Sequence, residues 1–107
     1  MRKKAKIRAD LLKALNYSSP DEAALEMLLL SARSKYSEFR QEAQRFQEKY
    51  GMDFDAFQRT IEAQVNEEFF EQEEDLMAWK FAQDAAEYWR QKVEELEHVA
   101  GTGRAIL

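Results

Sequence analysis

Apolar side chains recur through residues 25–50 at spacings that alternate between four and three residues. An unbroken repeat of this kind gives a helix one apolar seam, which must lie against another helix for most of its length. Because bulky aromatic residues suit a symmetrical two-stranded zipper poorly, we expect an antiparallel partner helix from the same chain. The seam contains Leu25, Leu29, Ala32, Tyr36, Phe39, Ala43, Phe46 and Tyr50.

The seam helix has sequence signals at both of its ends. Ser19 and Glu22 have the spacing of a capping box, and Pro20 stands where a first-turn proline is tolerated. Gly51 can adopt the left-handed conformation that ends a helix. These signals predict a helix over about residues 20–50, with a length of about 45 Å at 1.5 Å per residue.

A second long helix is predicted over about residues 71–99, and it is apolar on two adjacent stripes. A helix that packs on a single neighbour needs only one narrow apolar face. One stripe can therefore cover the seam, while the other needs a further element, a second copy or another protein. The first stripe contains Leu76, Trp79, Ala82, Ala86, Trp89, Val93 and Leu96, and the second contains Met77, Phe81, Ala85 and Tyr88.

The remaining segments complete a single helical domain of 107 residues. A basic amphipathic arm occupies residues 1–16, a short helix is expected over residues 53–66, and residues 100–107 are expected to form a flexible tail. The sequence leaves open whether the short helix continues into the C-terminal helix, because no glycine or proline separates them. We therefore predict an all-α fold: an elongated helical hairpin or a bundle of three to four helices, with the two long helices antiparallel.

The net charge of −5 conceals a strong polarity along the chain. Residues 1–16 carry +5 and residues 53–98 carry −10, and six acids in residues 67–75 surround Phe69 and Phe70. This acidic cluster is either a solvated helix start, stabilised by the helix dipole, or a surface that meets a basic partner with the phenylalanines as anchors.

The basic arm allows several interpretations. It can be a short helix that docks on the bundle with its lysines in water, or a segment that contacts nucleic-acid phosphates or an anionic membrane surface. Because the arm contains no aromatic residue, sequence-specific readout of nucleic acid is not supported. Phosphate contact would use Arg2, Lys3, Lys4, Lys6 and Arg8.

Catalytic, metal and cofactor sites are not indicated. The absence of cysteine excludes disulfides and thiolate sites and favours a cytoplasmic setting, and we identify neither a signal peptide nor a membrane span. Glu95 and His98 have the spacing by which one helix supplies two ligands to a di-iron site. Such sites use two of these pairs, and His98 is the only histidine. We therefore predict a protein that is not an enzyme and uses no cofactor.

Two stretches of the chain resemble a group of small prokaryotic proteins. They are the stretch Lys49-Tyr50-Gly51-Met52-Asp53-Phe54-Asp55-Ala56-Phe57 and the acidic run from Phe70 through Glu74-Asp75 to Trp79 and onward to Tyr88-Trp89. Some of these proteins are thought to be antitoxins that are encoded beside a toxin gene, and the resemblance covers roughly residues 45–95. It implies a helical or flexible segment that wraps a toxin and blocks its active site.

The leading functional prediction is a protein–protein interaction module, most concretely an antitoxin-like inhibitor that covers a basic partner with its acidic and aromatic C-terminal half. One alternative is a nucleic-acid-binding regulator that uses the arm. Another is a structural bundle whose only partner is itself, as a homo-oligomer. The residues predicted to bind a protein partner are Phe69, Phe70, Trp79 and Trp89 for affinity and Glu73, Glu74 and Asp75 for steering.

The nucleic-acid alternative makes a direct prediction about the arm. Deletion of residues 1–8 removes five cations and should abolish the retention of DNA or RNA at low salt, because phosphate contacts would supply the binding. Gel-shift measurements on the intact and shortened chains test this. An intact chain that retains no nucleic acid at low salt excludes the alternative.

Overall fold

A computed structural model describes the backbone of residues 8–64 and 70–106 and the side chains of residues 8–64 and 70–101. No strand occurs in these residues, which confirms the predicted all-α class. The expectations that concern residues 1–7 and 65–69 lie outside the described residues. Four helices are present: α1 (Ala9–Ala14), α2 (Pro20–Tyr50), α3 (Phe54–Ala63) and α4 (Phe70–Ile106).

The two long helices form an antiparallel hairpin, as the seam predicted. Near the open end of the hairpin, Arg33 contacts Glu97 with 3.3 Å between nitrogen and oxygen. Near the closed end, Phe46 stacks on Trp79 with 5.9 Å between ring centroids. Contacts therefore move backwards along α4 as they advance along α2, which is the antiparallel register.

Local hydrogen bonds fix both ends of α2. The Ser19 hydroxyl accepts a hydrogen bond from the Glu22 N–H at 3.1 Å, and the Glu22 carboxylate accepts one from the Ser18 N–H at 2.8 Å. At the other end Gly51 has a φ of +65°, and its N–H donates to the Gln47 carbonyl at 2.8 Å. The cap and the left-handed stop that the sequence predicted are both confirmed.

The turn after α2 directs α3 back over the hairpin. Asp53 caps α3 by accepting a hydrogen bond from the Ala56 N–H at 2.8 Å. The Phe57 side chain is 2% exposed, and its ring stacks on Tyr50 with 4.1 Å between centroids. Helix α3 ends at Ala63 because Gln64 leaves the helical conformation, so α3 and α4 are separate helices.

The core lies at the closed end and centres on Trp79, which is 3% exposed. Four aromatic rings from α2 and α3 surround its indole at centroid distances between 5.5 and 6.4 Å. Farther along the hairpin, the buried alanines Ala32 and Ala82 let the backbones of α2 and α4 approach closely. The rings around Trp79 belong to Phe46, Tyr50, Phe54 and Phe57.

Helix α1 contributes little to this core. It has six residues and none of them is buried, and both Leu11 and Leu15 are exposed. It ends in a Schellman motif, in which Asn16 takes a φ of 65° and the Tyr17 N–H donates to the Leu12 carbonyl at 2.8 Å. The described part of the arm is therefore helical, but it does not bury an apolar face against the hairpin.

Helix α4 is longer than the sequence predicted. The segment expected to be a flexible tail continues the helix to Ile106. Gly101 does not end α4 as Gly51 ends α2, because a glycine stops a helix by taking the left-handed conformation and Gly101 has no positive φ. Within the described residues, no helix combines the length and the apolar character that crossing a membrane requires.

The hairpin is elongated and exposes much of its surface. Its radius of gyration is 21.0 Å, whereas a compact chain of this length has one of about 13 Å. Its accessible surface is 8869 Å², whereas a compact monomer of 12.6 kDa exposes about 6,200 Å². Two long helices with one short helix across one end leave most side faces open, which contributes to this larger surface of the whole chain.

Gly51 and Gly101 should respond in opposite directions to the same substitution. Gly51→Ala should lower the free energy of unfolding by about 1 kcal/mol, because only the left-handed backbone penalises the new methyl group. Gly101→Ala should raise it by about 0.5 kcal/mol, because alanine is the better helix former. Urea unfolding followed by circular dichroism measures both, and effects of the same sign would contradict these backbone assignments.

Candidate protein-binding surface

Large apolar side chains form an exposed line along α4. Their spacings of 7, 4, 7 and 11 residues bring them to one side of the helix. Each of them is between 53% and 75% exposed. We call this line the α4 stripe, and it consists of Phe70, Met77, Phe81, Tyr88 and Val99.

The core determines which side of α4 the stripe occupies. Trp79 and Ala82 turn towards α2 and are buried, so Phe81, between them in sequence, points to the flank of the hairpin. There its ring meets the half-buried ring of Phe39 edge to face, with 5.8 Å between centroids. The stripe therefore borders the α2–α4 contact, and its residue Phe81 packs against Phe39 of α2.

Helix α3 lies on a different flank and leaves the stripe uncovered. Its first residues, Phe54 and Asp55, line a shallow groove together with Lys80 and Glu87 of α4. Those two α4 residues lie about 100° around the helix from Phe81 and Tyr88, to which they are adjacent in sequence. The short helix therefore protects one side of the hairpin at the closed end while the stripe remains open.

A neighbouring ring and a cation hold Tyr88, in the middle of the stripe, in place. Tyr88 packs edge to face against the half-buried Trp89, with 5.1 Å between ring centroids. The Lys92 ammonium lies 5.2 Å from the centroid of the Tyr88 ring, within the range of a cation–π contact. Ordering these side chains in advance lowers the entropy cost that a partner meets on binding.

The surroundings of the stripe are acidic. Residues 70–101 contain nine acids and three bases, a net charge of −6. The three bases are engaged by acids on the same helix: Lys80 by Asp84 at 3.0 Å, Arg90 by Glu87 at 2.6 Å, and Lys92 by Glu95 at 3.3 Å. Hydrogen bonds from Arg90 lower the pKa of Glu87 to about 2, so this pair stays charged at neutral pH.

Two acids close to Phe70 remain available to a partner. Glu73 and Glu74 are exposed, and neither forms an ion pair within the described residues. Both lie in the first turns of α4, where the positive end of the helix dipole favours acids without neutralising their charge. The closed end of the stripe therefore combines an exposed aromatic ring with uncompensated negative charge.

A polar cluster ties the ends of α2 and α4 together beside the core. The Lys49 ammonium contacts Asp75 at 2.7 Å and Glu71 at 3.0 Å, and the Tyr50 hydroxyl donates a hydrogen bond to Asp75. Asp75 is only 18% exposed, so solvent screens its contacts weakly. We call Lys49, Tyr50 and Asp75 the closed-end clamp.

The clamp shifts the pKa of each of its members. Burial raises the pKa of Asp75, but the hydrogen bonds from Lys49 and Tyr50 outweigh burial and leave the pKa below its usual value of 3.8. Burial and the hydrogen bond to Asp75 raise the pKa of Tyr50 above 10.0. Hydrogen bonds to the carboxylates of Asp75 and Glu71 raise the pKa of Lys49. All three groups therefore hold their bonded protonation states between about pH 4 and pH 10.

The residues predicted to bind a partner divide into two groups. Phe70, Glu73 and Glu74 are exposed at the closed end of the stripe, and Trp89 is half-buried beside Tyr88. Trp79 and Asp75 are committed to contacts within the hairpin, Trp79 in the core and Asp75 in the clamp. The seventh predicted residue, Phe69, lies outside the described residues.

The remaining residues considered from the sequence belong to the basic arm and to the last turns of the predicted C-terminal helix. Arg8 is exposed and forms two hydrogen bonds to Asp10, at 3.0 and 3.1 Å. Glu95 and His98 are both exposed, and the described residues contain no group of three acids, histidines or cysteines that could hold a metal ion. The remaining cations of the arm lie outside the described residues, namely Arg2, Lys3, Lys4 and Lys6.

Sequence reasoning found part of this surface and missed the clamp. Met77, Phe81 and Tyr88 belong to the predicted second stripe, and continuing the same helical spacing in both directions would have added Phe70 and Val99. The clamp joins residues 25 and 26 positions apart, and only the register between α2 and α4 brings them together. No local motif signals such a contact.

No protein-family model, curated protein or solved structure matches this chain. The function must therefore be argued from the surface of the hairpin itself.

The clamp predicts how stability depends on pH. Asp75→Asn should lower the free energy of unfolding at pH 7 by about 1–2 kcal/mol, because hydrogen bonds to a charged, largely buried group are lost. The pKa of Asp75 is lower in the folded state, so its contribution is present above about pH 4 and disappears as the pH falls further. The difference between variant and parent should therefore shrink in acid.

Asp84→Asn is the matched control for this measurement. It removes the same charge from an exposed pair with Lys80 on the same helix, which should cost roughly 0.5 kcal/mol or less. Urea unfolding at a series of pH values compares the two variants. Equal costs at pH 7 would show that the clamp does not stabilise the hairpin.

Proposed function

We propose that this protein is a non-enzymatic protein–protein interaction module that binds a basic partner along the α4 stripe. The observation that carries this proposal is the exposed apolar line on α4 within a segment of charge −6. Extended apolar patches on a soluble protein commonly mark the surfaces that bind other proteins. The two components have different roles, the apolar side chains supplying affinity and the acids supplying steering.

The shape of the stripe favours a helical partner. From Phe70 to Val99 it follows a straight helix for about 43 Å at 1.5 Å per residue. A partner helix with apolar residues at heptad spacing can lie along this line and use Met77, Phe81 and Tyr88 as anchors. Aromatic side chains contribute most of the binding energy in many interfaces, and Phe81 and Tyr88 are held in place by rings of the hairpin.

The charges favour a basic partner. The three bases of residues 70–101 are engaged by acids on the same helix, while Glu73 and Glu74 remain uncompensated near Phe70. A second acidic surface would be repelled, whereas lysines or arginines beside the apolar residues of a partner would be attracted before contact. This complementarity raises the association rate and makes it depend on salt.

The most concrete form of this function is an antitoxin-like inhibitor, in line with the resemblance over residues 45–95. Many RNA-targeting toxins are basic, and an acidic helix with aromatic anchors can compete with RNA for such a surface. The chain contains no cysteine, which suits a reducing cytoplasmic setting for such a pair. The candidate partner to test first is the protein encoded by the neighbouring gene.

Binding to that neighbour should depend on the stripe. Phe81→Ala should weaken the complex roughly 10- to 100-fold, because it removes a central aromatic anchor. Met27→Ala is the matched control, since it also truncates an exposed apolar side chain but lies on α2, away from the stripe. Surface plasmon resonance with the purified neighbour measures both, and equal affinities for the two variants would contradict the assignment.

Steering can be tested separately from affinity. Reversing the charges of Glu73 and Glu74 to lysine should slow association and flatten its dependence on salt, while dissociation changes less. Asp75 keeps its charge in this variant because it belongs to the clamp. An association rate that is unchanged at low salt would remove the steering role.

A further inference from the structure

The acids of α4 differ in whether a base already contacts them. Of the nine acids in residues 70–101, seven form an ion pair within the described residues. These seven are Glu71, Asp75, Asp84, Glu87, Glu94, Glu95 and Glu97. The other two, Glu73 and Glu74, are adjacent, exposed and in the first turns of the helix. The negative charge that a partner can still neutralise is therefore concentrated at one end of α4.

These two acids stand on opposite sides of the α4 stripe. At about 100° per residue, Glu73 lies about 60° to one side of Phe70 around the helix, and Glu74 lies about 40° to the other side. Between them the stripe passes from Phe70 to Met77, whose side chains are both exposed. A helix that packs on the stripe here would have an acid on each flank. Basic residues on either side of its apolar line would therefore meet both carboxylates.

The hairpin already contains a helix that meets this end of α4 with a base. Helix α2 lies antiparallel to α4, and Lys49 in its last turn contacts Glu71 at 3.0 Å and Asp75 at 2.7 Å. The negative end of a helix dipole favours bases in the last turn, and the positive end favours acids in the first turn. The antiparallel arrangement therefore brings together a base and acids that are each favoured by their own helix.

We infer that the partner presents a helix that lies antiparallel to α4 on the stripe, with basic residues in its last turn that contact Glu73 and Glu74. This inference rests on the proposed function and adds the direction of the partner helix and the position of its bases. A parallel helix could reach these acids only with bases in its first turn, where its own dipole disfavours them. It would also set its positive end beside the positive end of α4.

The other end of the stripe offers a base no comparable contact. Glu95 lies one heptad beyond Tyr88 on the same side of α4, but Lys92 already contacts its carboxylate at 3.3 Å. Glu97 is engaged across the hairpin by Arg33, also at 3.3 Å. This half of the stripe therefore supplies apolar contact, and the partner helix is expected to carry its bases at one end only.

Two synthetic peptides of identical composition test the inference on the full chain. Both are amphipathic helices of about four heptads, which matches the length of the stripe, with apolar residues at heptad spacing. They differ only in whether their lysines occupy the last turn or the first turn. The last-turn peptide should bind roughly five-fold more tightly at low salt, because its lysines reach both acids in the antiparallel direction. Fluorescence anisotropy measures both affinities, and added salt should reduce the preference.

Neutralising the two acids separates their role from the properties of the peptides. In the double variant Glu73→Gln/Glu74→Gln, the ratio of the two affinities should fall roughly five-fold relative to the parent. The intrinsic helicity of each peptide is the same in both measurements, so it cancels in this comparison.

Asp84→Asn combined with Glu95→Gln is the matched control. It removes the same charge from acids beside the stripe that already form ion pairs, and it should leave the preference for the last-turn peptide in place. Circular dichroism verifies that both double variants are folded, which is expected because all four substituted side chains are exposed.

The direction of the bound peptide can be read from a disulfide, because the chain contains no cysteine of its own. Phe70→Cys and Val99→Cys each place a single thiol at one end of the stripe. In a glutathione redox buffer, a last-turn peptide with a C-terminal cysteine should form a disulfide with Phe70→Cys in preference to Val99→Cys. A preference for Val99→Cys indicates a parallel helix and overturns the inference.

The outcomes distinguish this inference from the proposed function. Suppose that both peptides bind, that Phe81→Ala weakens both, and that their affinity ratio is the same in the parent and in Glu73→Gln/Glu74→Gln. The proposed function is then supported and the inference is overturned. If neither peptide binds the parent, or if Phe81→Ala leaves both affinities unchanged, both fail. A preference that Glu73→Gln/Glu74→Gln removes and the control retains supports both.

Discussion

The packing of Trp79 against rings from α2 and α3 holds the hairpin and the short helix α3 together. Its indole lies within 5.5–6.4 Å of four other aromatic rings, and it is one of only five core residues buried in the described part of the chain. Aromatic pairs of this kind contribute about 0.5–1.5 kcal/mol each beyond the area that they bury. The closed-end clamp lies beside this cluster and fixes the register in which α2 and α4 meet.

A hairpin organised in this way leaves apolar surface that its own chain does not cover. Each long helix buries one stripe against the other, and α3 shields one flank at the closed end. Side chains on the remaining faces stay exposed whatever their polarity, which explains why large apolar residues occur both on α4 and at the start of α2. Contact with another polypeptide would remove this apolar surface from water.

The sequence by itself determined the features that depend on local spacing. The alternating seam predicts α2 and its antiparallel partner, Ser19 and Gly51 mark the ends of α2, and Asp53 marks the start of α3, because caps and helical periodicity need only neighbouring residues. Only the tertiary structure decided which side of α4 turns inward. That choice buries Trp79, engages Asp75 in the clamp and leaves Phe81 outside. Sequence periodicity gave two apolar stripes on α4 but could not assign them, since the register between helices is set by contacts between residues far apart in the chain.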